Sequence, residues 1–179
     1  MFRRILVAID GSPTSNRGLE EAIALAKNQG ARLCLLHVVD ELIVMPALDG
    51  AMYVPTGDMN AFTKAMRDGG KKLLANAAAT ARRRRIKADA VLLETLGHRV
   101  AELILKQTRK WRADVIVLGT HGRRGLSRLL MGSDAEMVVR ESPVPVLLVR
   151  SPLQRRKARK RQSIATGTGA RRSAGRATA

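Results

Sequence analysis

The chain has a single cysteine, only four aromatic side chains and no apolar run long enough to span a membrane, and each shortage excludes a class of protein. Cys34 cannot form an internal disulfide, and its place in ARLCLLHVV predicts a buried strand in a protein of a reducing compartment. His37, His98, His121 and Cys34 are scattered, without HExxH or paired CxxC spacing, which argues against structural zinc and thiol chemistry. No GxxxxGK[ST] run is present, so the usual phosphate-binding lysine is missing. Phe2, Tyr53, Phe62 and Trp111 all lie outside the basic C-terminal segment, which disfavours single-strand binding by base stacking. The apolar stretch Ile5 to Ile9 meets Asp10 too soon for a signal-peptide core or a membrane span. A cytoplasmic protein without a membrane segment is expected.

What is abundant is positive charge. The formal net charge is +18 over 179 residues, but residues 151–179 hold Arg155, Arg156, Lys157, Arg159, Lys160, Arg161, Arg171, Arg172 and Arg176 with no acid. Without those nine bases, 24 bases face 15 acids and residues 1–150 carry +9. The length suits one domain with a two-sided core followed by a basic tail, expected to be disordered. Such charge attracts polyanions generally and does not choose among nucleotides, nucleic acid and anionic lipid.

Hydrophobic patterning predicts β-α repeated four times and a closing strand. Residues 3–9 form a first strand, and Asp10-Gly11-Ser12-Pro13 turns into a helix with Ser12 as N-cap and Pro13 in its first turn. Leu19, Ala22, Ile23 and Ala26 give that helix an apolar stripe, and Gly30 ends it. A second strand spans 31–39. The segment from Asp40 to Gly57, with Pro46, Gly50, Pro55 and Gly57, reads as a long connection. A helix is predicted from Asp58 to about Arg85, weakened or bent at Gly69-Gly70. Met45, Met52, Met59 and Met66 recur every seven residues here, a spacing ascribed to packing, with a lid over a ligand as the alternative. Arg82 to Arg85 reads as a solvated helix end favoured by the dipole. Strands at 87–94, 114–119 and 145–149 and helices around 100–111 and 133–142 complete the pattern. Regular alternation implies an α/β fold, an open Rossmann-like parallel sheet with helices on both faces and ligand contacts at the strands' carboxyl ends.

One stretch carries chemistry. The β-branched run Asp114 to Leu118 leads to Gly119-Thr-His-Gly122, and after nine residues Gly132-Ser133 opens a helix. Glycines let a ligand approach the backbone, and a helix start offers unpaired N–H groups and a positive dipole end, so an anion between loop and helix meets several donors. Arg123, Arg124 and Arg128 add charge. The competing reading is a capping box, in which Ser133 and Glu136 serve only their own helix. It leaves Gly119, Gly122 and Gly132 unexplained. The polar loop Asp10-Gly11-Ser12 would face the same pocket if the first and fourth strands are neighbours.

From Phe2 to Val149 the chain resembles the universal stress protein family. Gly119, Gly122, Gly132 and Ser133 match the Gly-x2-Gly-x9-Gly-Ser/Thr of its ATP-binding members, and VAIDGS and PVPVLLVR look like further signatures. The resemblance implies five strands in the order 3-2-1-4-5, a homodimer through the last strand, and ATP between strands one and four. It places Asp10 by the adenosine or a metal, Gly119 by the ribose, backbone near Val39 at the base, and Gly122, Gly132 and Ser133 at the phosphates. Ser12 and His121 are added as contacts from the two loops and Arg123 as a phosphate partner, with Mg²⁺ at Asp10. Asp134, where an uncharged residue is common, would repel a triphosphate unless Mg²⁺ lies between them.

The expected function is therefore an ATP-binding stress-response regulator, a dimeric nucleotide-dependent switch rather than an enzyme. The alternatives are a slow ATP-hydrolysing or adenylyl-transfer enzyme, for which Asp10 is the one strand-end carboxylate near the cradle, and weak, salt-sensitive nucleic-acid binding by the tail.

Overall fold

The computed structural model describes residues 1–40, 59–120 and 132–150. Five strands alternate with four helices: β1 (Arg4–Ala8), α1 (Pro13–Gln29), β2 (Arg32–Val39), α2 (Met59–Arg83), β3 (Ala88–Glu94), α3 (Val100–Trp111), β4 (Val115–Gly119), α4 (Ser133–Glu141) and β5 (Val146–Val149). All pairings are parallel, as the β-α alternation predicts, and the order is β3-β2-β1-β4-β5, the one the family resemblance implies. Element ends fall within a residue or two of those read from sequence.

Two-sided burial explains why the strands read as near-continuous apolar runs. Ile5, Val7, Leu33, Leu35, Val115 and Val117 pack on one face with Leu19, Ala22, Ile23 and Ala26 of α1 and Leu74, Ala77 and Ala81 of α2. On the other face, Leu6, Cys34, Leu36, Ile116 and Leu118 meet Ala101, Ile104 and Leu105 of α3 and Val138 of α4. Helices therefore cover both faces. The long connection, including Met45 and Met52, falls at residues 41–58, outside the described residues.

The expected weak point of α2 has another explanation. The helix runs through Gly69 and Gly70 without a break, and a Cβ on Gly70 would lie 2.8 Å from both His37 Cδ2 and Leu92 Cδ1. Gly70 lets α2 approach the sheet closely. Nothing lies within 4 Å of a Cβ built on Gly69.

Candidate functional site

The first loop is held by its own short side chains. Ile9 N donates to Leu36 O at 2.8 Å, so the extended path of β1 continues one residue past Ala8. Gly11 then takes φ +82°, a left-handed conformation suited to glycine, and Ser12 turns extended to cap α1. Ser15 N donates to Ser12 Oγ at 3.1 Å, and Ser12 N donates to Asp10 Oδ1 at 2.9 Å. The second bond closes a small turn that fixes the Asp10 carboxylate at the loop. Asp10 N in turn donates to Ser15 Oγ at 3.3 Å. Beneath the loop, buried His37 donates from Nδ1 to Ile9 O at 2.6 Å.

β1 and β4 are neighbours, with Ile5, Leu6 and Val7 opposite Val115, Ile116 and Val117. Strand order reverses there, since β2 and β3 lie to one side and β5 to the other. Their carboxyl ends thus form a switch-point crevice, and Val39, the last residue of β2, lies at the same edge. The carbonyl of Val39 accepts from Thr95 N at 3.0 Å.

Gly119 proves to be a packing glycine. Its Cβ would sit 2.7 Å from Thr14 Oγ1, 2.9 Å from Thr14 Cβ and 3.0 Å from Ser15 N. Only glycine lets the start of α1 press against the end of β4, and no positive φ is involved. Buried Thr120 follows, its N–H donating to Val149 O at 3.0 Å, and Gly132 N donates to Thr120 O at 3.1 Å. That last bond ties Gly132 to the residue that follows β4. The start of α4 is set at the crevice as a result.

The capping-box alternative for Ser133 does not form. The N-cap of α4 is Gly132, which has no side chain to cap with, and Ser133 is the first helical residue, exposed to solvent. Glu136 N donates to Gly132 O at 2.9 Å as an ordinary helical bond. The N–H groups of Ser133, Asp134 and Ala135 therefore open α4 without intrahelical acceptors, as at any helix start.

Asp10, Ser12, Val39, Gly119, Gly132 and Ser133 all lie at this edge, whereas His121, Gly122 and Arg123 fall in 121–131, outside the described residues. Sequence reasoning gave no role at the site to Thr14, Thr120 or His37, which build it from beneath. The signal for Thr14 was present, as a small residue in the first turn of α1, but its meaning depends on facing Gly119. Cys34 is buried and its thiol is pushed up from 9.0 to about 11, chiefly by burial, which keeps it a protonated core residue. Among the described residues no group of three His, Cys, Asp or Glu side chains could hold a metal. No helix among them is long and apolar enough to cross a membrane.

The profile of the Universal stress protein family matches residues 1–150. The chain is 35% identical over 151 residues to Universal stress protein YxiE of Bacillus subtilis, covering 84% of this chain and 100% of that one. A solved universal stress family protein from Burkholderia pseudomallei superposes with a TM-score of 0.65 at 32% identity, over 83% of this chain and 96% of that one. The universal stress protein of Archaeoglobus fulgidus solved in complex with dAMP shares the fold, with a TM-score of 0.55 at 22% identity over 82% and 97% of the two chains. With the family profile covering the whole sheet and both loops of the crevice, this chain belongs to the universal stress protein family.

Proposed function

We propose that the crevice between β1 and β4 holds an adenine nucleotide, ATP in the first instance, and that its occupancy regulates a stress response in the cytoplasm. The observation that carries this reading is the Gly132 N to Thr120 O bond, which aims the uncapped start of α4 at the crevice. The dAMP complex of the Archaeoglobus protein, which has the same fold, supports the choice of an adenine nucleotide.

Asp10 is held by Ser12 N through one carboxylate oxygen. A single carboxylate together with phosphate oxygens is a donor set that suits Mg²⁺, which keeps several waters and rarely takes an all-protein cage. A bound Mg²⁺ would neutralise phosphate charge there. Gly119 is to lie by the ribose, backbone at the end of β2 near Val39 by the base, and Gly122, Arg123, Gly132 and Ser133 by the phosphates, with Ser12 and His121 from the flanking loops. Asp10, tied into its own turn, orients rather than abstracts a proton, so regulated occupancy with slow or absent cleavage fits better than catalysis.

A homodimer through β5 would carry the nucleotide signal to a partner copy, because β5 is an edge strand with Leu147 41% exposed. The domain ends near residue 150, and the basic segment 151–179 adds weak, non-specific polyanion attraction. Isothermal titration of the full chain with ATP and Mg²⁺ should give one site per protomer. A folded protein that releases no heat with ATP, AMP or dAMP would end the reading.

A further inference from the structure

At the opposite, amino edge of the sheet lies a second concavity of about 620 Å³, well inside the range of small-ligand sites. Its lining includes Arg3 before β1, Lys27 and Gly30 at the end of α1, Arg32 opening β2, Arg84 and Arg85 just past α2, and Lys87 before β3. Six cations thus converge on one cleft. The ends of α1 and α2 account for little of this, since two carboxyl helix ends together present about one negative charge.

Nearby acids do not balance the rest. Asp89 is committed to Arg32 at 2.6 Å and to Trp111 Nε1 at 3.1 Å. Asp114 accepts from the backbone N–H groups of Arg3 and Arg4 at 2.7 and 2.8 Å. Arg3, Lys27, Arg84, Arg85 and Lys87 form no ion pair among the described residues. Such a set of like charges repels itself, and the repulsion is relieved by a ligand bearing several negative charges close together. The basic segment 151–179 holds no acid and cannot supply that ligand.

We infer that this cleft binds a compact oligophosphate, several adjacent phosphoryl groups recognised through charge alone. Compactness follows from the small concave volume. The absence of any aromatic side chain in the lining removes the stacking platform a nucleic-acid base would need. Arg82–Arg85, expected to be only a solvated helix end, therefore divides: Arg82 and Arg83 end α2, while Arg84 and Arg85 line the cleft. Arg85 is held at φ +61°, a conformation glycine usually supplies after a helix.

The test is a titration of the full chain with inorganic tripolyphosphate, followed by amide chemical shifts. Shifts should cluster at residues 27–32 and 84–87, and weaken steeply as salt is raised. The Arg84→Ser/Lys87→Ser double variant should lose at least ten-fold in tripolyphosphate affinity and keep its ATP affinity within two-fold. Both side chains are exposed, and an Arg3→Ser/Lys27→Ser variant provides the same comparison from the other wall. Shifts confined to 151–179, or to residues 9–15 and 132–135, would overturn the inference, as would unchanged affinity in both folded variants. A short duplex DNA that shifts the cleft residues more strongly than tripolyphosphate would overturn it in favour of a nucleic-acid groove.

Discussion

Gly69 and Gly70 are chemically identical neighbours in α2, yet they should respond to substitution with opposite sign. Gly69→Ala meets nothing within 4 Å and should stabilise the protein by roughly 0.5–1 kcal/mol through helix propensity and a less free unfolded chain. Gly70→Ala places a methyl 2.8 Å from His37 Cδ2, and the hydrogen bond to Ile9 O holds that ring in place. Overpacking of this kind costs about 1–3 kcal/mol and outweighs the propensity gain. Urea unfolding of the two single variants measures both, and equal stabilisation would mean that α2 does not sit this close to β2. The sequence displayed both glycines, but nothing local distinguishes them. The difference exists only where α2 crosses the sheet.

At the level of elements, two helices begin beside the same crevice and use serine differently. Ser12 caps α1 through its side chain, whereas Ser133 follows an N-cap glycine and leaves its own helix uncapped. Ser12→Ala should therefore cost about 1 kcal/mol, the usual value of an N-cap. Ser133→Ala should stay within about 0.5 kcal/mol of the parent, as for an exposed substitution without a structural partner, while weakening ATP binding several-fold. Thermal unfolding and ATP titration of the two variants separate the roles. A Ser133→Ala protein as destabilised as Ser12→Ala, with unchanged ATP affinity, would restore the capping role. Spacing alone left these possibilities open, because a capping box and a phosphate-binding helix start draw on the same N–H groups. Gly119 also shows the limit of motif reading: it sits where expected, but its missing side chain makes room for Thr14.

For the whole molecule, the parallel sheet leaves β5 at one edge with Leu147 41% exposed. Leu147→Lys should convert the proposed dimer to a monomer in sedimentation velocity without unfolding the domain. A persisting dimer would move the interface away from β5. The two ends of the sheet then differ in kind, with a glycine- and serine-rich crevice at the carboxyl edge and a cationic cleft at the amino edge.

The sequence by itself determined the β-α alternation, the buried two-sided strands, the caps at Ser12 and Gly30 and the family signature, because each depends on residues close in the chain. Tertiary structure alone decided that Gly70 must yield to His37, that Gly119 yields to Thr14, that Gly132 closes onto Thr120, and that Arg3, Lys27, Arg84, Arg85 and Lys87 meet. Those pairings join segments up to 105 residues apart, as for Gly119 and Thr14, and a local pattern carries no information about which distant side chains a parallel sheet will bring to one edge.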